Sequence, residues 1–554
     1  MTKDNFVINN KDADHQKRRG GYYTPSRICD YVCEWAILNE GSTILEPSAG
    51  DGNFVESALR VAKSKEKQVE ITAVEIEKDE ILKAKKRCES LVDESKVNYI
   101  LGDFFEVYDN LKSQRFDIVL GNPPFIRYQY FEDTSREKAF SNLSSVGYSP
   151  NKLTNAWVAF IELSIELIKE NGKLAVVVPA ELLQVNYAHE LRKNLTKHFK
   201  HIVIIGFRKI VFPEIQQEVV LLLAEGKKDS NGFLSDIQTI EFDDGIDLLK
   251  NGKDLNQTIR HIPSKHTRNG MKWTALYLSE KAYKALDEAE QHTNLFQLGH
   301  YADVNVGIVT GQNSFFVVDN EMRKEIKDDD FLLPIVGKTS ALNSIVFSED
   351  DYVLYQNKYP ASLLNLSNIP AEKFPEVLKE YLSYGELIGV DKGYKCRIRP
   401  RWYDVPSVYI PDGFLYRQIH KFPMLVINHA RVTSTDTIHR VRFKMPIEKE
   451  KFAACFLNSL TLAWSEVAGR SYGGGVLELE PREAIKLPIP YSDDLLIDTD
   501  KVRELSRKKK ESEILDYVDQ IVLRDYLGFS KQTTTDLRLA WTELRNRRVN
   551  RRLS

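Results

Sequence analysis

Residues 116–125, Phe-Asp-Ile-Val-Leu-Gly-Asn-Pro-Pro-Phe, join an apolar strand pattern to a stiff loop. Each proline fixes its own φ and disfavours helix in the residue before it. A loop so constrained can hold the Asn122 side-chain oxygen and the Pro123 carbonyl at fixed positions. Two such acceptors can each take one hydrogen of an exocyclic amine. The lone pair of that amine is delocalised into its ring and is a poor nucleophile. Drawing both hydrogens out of conjugation localises the pair toward a methyl donor without full deprotonation. Phe125 would stack on the ring that carries the amine.

Three further features sit at the ends of preceding strand candidates. Residues 44–53, Ile-Leu-Glu-Pro-Ser-Ala-Gly-Asp-Gly-Asn, run from a strand into a small-residue turn and then a helix. Glycines there let a ligand approach the backbone at the carboxyl end of the strand. The spacing is not GxGxxG, so a dinucleotide is not the first expectation. Glu75 ends the next strand, at the distance from the glycine turn where an acid can bind ribose hydroxyls. Asp103 and Phe104 follow the third strand; the acid can accept from an adenine amino group while the ring covers the base. Each acid alone reads equally as a helix cap or a solvated side chain. Their recurrence at successive strand ends favours a ligand site.

These residues need a frame that aligns strand ends. The first ~240 residues supply one, alternating strands with helices as a doubly wound parallel sheet does. Strands are expected at 43–45, 71–74, 98–101, 116–120, 173–178, 201–205 and 218–223. Helices at 53–63, 78–91 and 155–169 show apolar residues at three- and four-residue spacing. Residues 206–217 are too few for a crossover helix, so the last two strands should pair antiparallel at the sheet edge.

Together LEPSAGDG, AVEIE, GDFF and LGNPPF resemble the S-adenosylmethionine (SAM)-dependent amino-methyltransferases. Residues 20–26, Gly-Gly-Tyr-Tyr-Thr-Pro-Ser, with a helix at 28–38, resemble the N-terminal cofactor motif of the gamma-class N6-adenine DNA methyltransferases, and most closely the TaqI type of type II restriction-modification systems. The resemblance implies a SAM methyltransferase domain at 1–240, a linker at 241–293, a mixed DNA-recognition domain at 294–490 and a basic helical tail at 491–554. It further implies that Tyr22 or Tyr23 and Thr24 line the SAM pocket, Thr24 near the methionine end, and that Glu46 with the turn Pro47, Ser48 and Gly50 holds the methionine moiety. Glu75 would hold the ribose, Ile76 would also line the cofactor site, and Asp103 with Phe104 would hold the adenine. Asn122 and Pro123 would bind the target N6, and Phe125 would stack on the target base. Phe212, in a Val-Phe-Pro context, would be a second aromatic against that base. The adenine must rotate out of the duplex to reach such a site. The chemistry requires no metal.

The C-terminal half interleaves cations with aromatics at 393–403, Gly-Tyr-Lys-Cys-Arg-Ile-Arg-Pro-Arg-Trp-Tyr. Arg397, Arg399, Arg401 and Arg431 are the expected DNA contacts, through phosphates or guanine edges. The alternative is a solvated basic face. The turn at 307–313 resembles the start of the family's recognition domain, and 472–475 with 487–490 its close. The arginines at 545–552 could clamp phosphate or compensate a helix C-terminus.

Bulk properties fit this reading. The chain has 554 residues, 42% hydrophobic and 28% charged, with net charge −3, so any DNA contact must use a local basic surface. Apolar runs are too short to span a bilayer, and the polar N-terminus lacks a signal-peptide core. Five scattered cysteines without CxxC spacing read as buried thiols of a reducing, prokaryotic-type cytoplasm rather than zinc ligands. Asn-Pro-Pro-aromatic loops also occur in protein-glutamine methyltransferases, and RNA adenine methylation is a further alternative. Both fit less well than duplex DNA with some 300 residues following the catalytic region. A modification subunit of a larger restriction complex, or a fused nuclease, would be expected to carry a sizeable domain ahead of the cofactor motif. The expectation is a stand-alone modification enzyme, with any cognate restriction endonuclease acting separately.

Overall fold

A computed structural model describes residues 23–550, apart from 93–94, 210–217, 229–233, 252–258, 260, 268–271, 328 and 473–474. The chain divides into two compact units, Met1–Tyr277 with Asn550–Ser554, and Leu278–Val549.

The first unit alternates helix and strand. Helix α1 (Ser26–Ala36) precedes β1 (Ser42–Glu46), α2 (Asn53–Ser64), β2 (Val69–Glu75), α3 (Lys78–Cys88), β3 (Lys96–Leu101), α4 (Phe104–Leu111) and β4 (Phe116–Gly121). There follow α5 (Asp133–Ser145), α6 (Ala156–Leu167), β5 (Ile168–Pro179), α7 (His189–His198), β6 (Phe199–Phe207), β7 (Val219–Lys227) and β8 (Asp236–Phe242). The sheet order is β3-β2-β1-β4-β5-β7-β6-β8. β1 pairs in parallel with both β2 and β4, so the order reverses between β1 and β4. Ligands of open α/β sheets bind at the carboxyl ends of strands at such a reversal.

As expected, β7 runs antiparallel to β6, and also to β5. It is not the edge, however. β8 pairs in parallel with β6 and extends the sheet by one strand. That strand, Asp-Ile-Gln-Thr-Ile-Glu-Phe, was not among the strands expected from the sequence. Its strand state rests on pairing with a segment thirty-five residues earlier rather than on local pattern. The helix Gly245–Asn251 and a 3₁₀ turn at Trp273–Tyr277 also belong to this unit.

The central strands are nearly continuous apolar runs because helices cover both faces. Ile44, Ile71, Ala73, Ile118, Leu120, Ala175 and Val177 bury against α1 and α2, where Cys29, Cys33, Val55 and Leu59 are fully buried. All five cysteines are free and buried.

The second unit is built on short strands and helices, consistent with the mixed domain expected there. Five of them pair in the order Ala302–Asn305, Ile438–Phe443, Gly413–Tyr416, Leu425–Asn428 and Val346–Phe347. A four-stranded sheet contains Leu332–Val336 and Ser362–Leu364. Its C-terminal part is helical, ending in Thr499–Arg507, Glu511–Asp519 and Lys531–Val549. The last of these packs on Ser459–Ala468. Among the described residues, no helix is long and apolar enough to cross a membrane.

Candidate active site

β1 ends at Glu46 and the chain enters the turn Pro47–Gly52. Ala49 N donates to Val74 O at 2.8 Å, which ties the turn to β2. Gly52 takes φ +86°, and a Cβ there would lie 2.7 Å from Ala84 Cβ of α3. Glycine is therefore required on conformation and on space. Gly121, at the end of β4, takes φ +144°, and a Cβ there would meet the Glu46 side chain at 3.4 Å. β1 and β4 thus approach closely where the sheet order reverses.

A cavity of ≈ 690 Å³ opens at these strand ends. Tyr23, Thr24, Glu46, Pro47, Ser48, Gly50, Glu75, Ile76, Asp103, Phe104 and Asn122 all line it, so the structure brings together the described cofactor candidates from the sequence. Tyr22 lies outside the described residues, as does Phe212.

The pocket is acidic. Glu46 is 1% exposed, and its Oε2 has no hydrogen-bond partner among the described residues. Burial, with the charges of Glu75 and Asp51, pushes its carboxyl well above the usual range. Burial also raises Glu75, opposed by backbone donors: Gly50 N reaches Oε2 at 2.8 Å and Glu77 N reaches Oε1 at 2.9 Å. Asp51 is raised by burial and drawn back by Arg87. Tyr23 donates to Glu80 Oε2 at 2.9 Å. Thr24 is buried, and its Oγ1 also has no hydrogen-bond partner among the described residues. A buried orphan carboxylate among further acids makes a site for a cationic ligand. The amino-acid end of SAM, with its ammonium and neighbouring sulfonium, has that charge.

At the other end, Asp103 is the N-cap of α4 and accepts from Phe105 N at 2.9 Å. Phe104 is 2% exposed and stacks on Phe160 of α6, with ring centroids 5.1 Å apart and planes at 14°. Phe160, Tyr130, Phe131 and Glu132 also line the cavity. Sequence reasoning missed these four. They follow the catalytic-loop candidate without a motif, and Phe160 sits on a helix that is apolar on nearly every face.

The 122–125 loop stands beside the turn after β1. Ser48 Oγ donates to Asn122 O at 3.4 Å. Ile126 N bonds Pro124 O at 3.0 Å, which folds the prolines into a tight bend. Asn122 borders the cavity and Pro123 is buried. Phe125 is half-buried and packs against the apolar core, and it is not part of the cavity lining. The loop is anchored beyond its end: Ala156 N donates to Ile126 O, and Tyr128 N donates to Asn155 Oδ1 at 2.9 Å.

The four candidate DNA arginines of the second unit divide in two. Arg399 donates to Val309 O and Thr310 O, at 3.1 and 2.7 Å, and so binds the 307–313 turn. Arg401 pairs with Asp404 and donates to Leu366 O and Ile369 O. Both guanidinium groups are spent on the fold. Arg397 and Arg431 are exposed and form no side-chain hydrogen bond or ion pair among the described residues. Near the C-terminus, Arg548 is 3% exposed and grips Glu466 through two bonds of 2.8 and 2.7 Å. It is an internal ion pair, neither a phosphate clamp nor an exposed helix-end charge. No group of three or more metal-ligating side chains occurs among the described residues.

A doubly wound sheet with an acidic pocket at its reversal, and an Asn-Pro-Pro-Phe loop beside that pocket, has the layout that the sequence resemblance implies for a SAM-dependent amino-methyltransferase. The comparisons make this particular. Residues 5–273 match the N-6 DNA Methylase family, and residues 270–523 match the C-terminal domain of type II methyltransferase M.Eco57I. Type II methyltransferase M.AccI of Acinetobacter calcoaceticus is 24% identical over 547 residues, covering 93% of this chain and 94% of the relative. M.XamI of Xanthomonas campestris pv. amaranthicola is 21% identical, covering 86% of each. The ATP-dependent type ISP enzyme LlaBIII, solved bound to DNA, shares the fold over 90% of this chain and 39% of its own, with 14% identity and a TM-score of 0.50. An N-6 DNA Methylase match followed by a type II methyltransferase C-terminal match, with similarity to a type II methyltransferase along nearly the whole chain, identifies an adenine-specific DNA methyltransferase of the type II restriction-modification kind.

Proposed function

We propose that the first unit binds SAM in the acidic pocket and methylates N6 of an adenine rotated out of duplex DNA, as a modification enzyme whose cognate endonuclease is a separate protein. The observation that carries this reading is the orphan buried carboxylate of Glu46 in the same cavity that Asn122 borders. When bound, SAM supplies an electrophilic sulfonium methyl.

Glu46, Thr24 and the Pro47–Gly50 turn hold the amino-acid end of SAM, with Tyr23 alongside. Glu75 and Ile76 meet the ribose. Glu75 already spends one lone pair of each oxygen on backbone N–H groups, which fixes the carboxylate and leaves the other lone pairs for hydroxyls. Asp103 and Phe104 take the adenine. Asn122 Oδ1 and Pro123 O accept the hydrogens of the target amine and turn its lone pair toward the methyl. Their contribution is positioning and fixed dipoles, held by a loop that does not reorganise during transfer. Phe125 and Phe212 are the aromatics assigned to the extruded base. Its unpairing costs a few kcal/mol, offset by contacts in the pocket. Arg397 and Arg431 contact DNA from the second unit.

Expression in a host lacking adenine methylation, with modified bases mapped by single-molecule sequencing, tests the reading. N6-methyladenine confined to one short motif supports it. Unmodified DNA from folded, SAM-binding protein refutes it.

A further inference from the structure

An unexplained surface lies in the second unit, at the end of helix Glu376–Leu387. Tyr384, Leu387, Ile388, Tyr394 and Ile398 are all exposed, Leu387 at 82% and Tyr394 at 65%. Single exposed apolar residues are ordinary, but five within the fifteen residues 384–398 form a patch that something covers.

The patch is presented by a rigid base. Consecutive turns close it: Ile388 N to Tyr384 O at 3.0 Å, Val390 N to Gly385 O at 2.9 Å, and Cys396 N to Gly393 O at 2.9 Å. Beneath them a Cβ at Gly385 would come within 2.5 Å of Phe315 and 2.7 Å of Trp402. Phe315 stacks on Tyr381 of the same helix at 4.6 Å. Arg399 then ties the 394–397 helical turn to the 309–310 backbone. Leu387 and Ile388 are left outward on a support that cannot fold over them.

The charge around the tip selects its occupant. Lys392, Lys395 and Arg397 are exposed on these same turns, whereas Arg399 and Arg401 point inward to carbonyls and Asp404. Between Tyr384 and Arg401 the carboxylates are Glu386, which accepts from Trp402 Nε1 at 3.1 Å, and the half-buried Asp391, against three exposed cations. The centre of a protein–protein interface is depleted in lysine. A polyanion with a stacked apolar interior matches both the cations and the aliphatic tip. We propose that this tip inserts into duplex DNA: Lys392, Lys395 and Arg397 hold phosphates while Leu387 and Ile388 wedge between base steps and kink the helix.

The test uses the full-length protein and an end-labelled duplex rich in TA steps, which unstack easily. It needs no methyl donor, so its result is independent of the methyl-transfer reading. Anisotropy titrations over a salt series give affinity and its salt slope, and energy transfer between the duplex ends reports bending. The triple variant Lys392→Ala, Lys395→Ala, Arg397→Ala should lower the slope of log affinity against log salt by about 2 to 3. The double variant Leu387→Ser, Ile388→Ser should keep the wild-type slope, lose the bend and bind at least about tenfold more weakly. An unchanged slope in the first, or wild-type bending and affinity in the second, overturns the proposal. So does a double variant that leaves DNA binding intact and instead abolishes self-association in sedimentation, which would give the patch to a second copy of the chain.

Discussion

Asn155 stands at the N-cap of α6 but does not cap it; its Oδ1 accepts instead from the backbone N–H of Tyr128, at 2.9 Å. Asparagine at this position ordinarily bonds the first turn of its own helix. Here the acceptor has been given to the segment that follows the 122–125 loop. Asn155 Nδ2 in turn donates to the Tyr187 hydroxyl at 2.9 Å, and Tyr187 donates to Glu181, just beyond β5. The loops after β4 and β5 are thereby held in register.

Asn155→Ala should lower turnover by about 10- to 100-fold, the cost of a small displacement of a reacting group. SAM affinity should stay unchanged, because Asn155 is not among the pocket residues. Asn155→Asp keeps the acceptor for Tyr128 N and should restore part of the rate. Single-turnover kinetics beside calorimetric SAM titrations would show it. A parallel loss of SAM binding and rate would mean a general folding defect instead of positioning.

Asn122→Ala removes one acceptor for the target amine and leaves the main-chain bond from Ser48 Oγ to Asn122 O available. Loss of a preorganised polar contact of this kind should cost at least about 10²-fold in rate. SAM binding should persist. Near-wild-type incorporation of labelled methyl would remove Asn122 from the catalytic assignment.

What could be read in advance was local. The 46–52 turn and the 122–125 loop are contiguous, and their φ restrictions and strand-end positions show in the order of residues. Phe160 was not legible, because it enters the pocket by stacking on Phe104, fifty-six residues earlier in the chain. Arg399 and Arg401 were legible as cations but not as structural bonds, since the carbonyls they bind lie 89, 90, 32 and 35 positions away. β8 failed for the same reason: its pairing with β6 decides its state, and a polar stretch hid it.

Glu162 gives a pH signature for stability. It lies buried on α6, and burial pushes its carboxyl up to about 8, against a bond from Asn194 Nδ2 at 2.8 Å. In the unfolded chain it titrates near 4.5. Between those values the folded state holds a proton that the unfolded state has released. Its contribution is therefore complete below 4.5 and falls by about 1.4 kcal/mol per pH unit up to the folded value. Glu162→Gln keeps an acceptor for Asn194 and carries no titrating group. Denaturant unfolding at pH 5 and pH 8 should show a smaller fall for the variant, leaving it more stable than wild type at pH 8. Equal slopes would mean that Glu162 ionises normally.

Glu46 makes the complementary prediction for binding. Burial, with the charges of Glu75 and Asp51, raises its carboxyl well above the usual carboxylate range and so favours the protonated form in the free protein. A cationic amino-acid end placed against Oε2 favours the carboxylate, so binding should expel the proton. SAM affinity should then rise with pH, by at most about tenfold per unit, until Glu46 is ionised in the free protein as well. Titrations in buffers of different ionisation enthalpy should show a proton leaving the protein on binding. Glu46→Gln should abolish that release and weaken SAM by about 10- to 100-fold, the worth of one charge-assisted hydrogen bond of about 1.5–3 kcal/mol. Proton release that survives in Glu46→Gln would assign it to Glu75 or Asp51, the neighbouring acids whose carboxyls burial also raises.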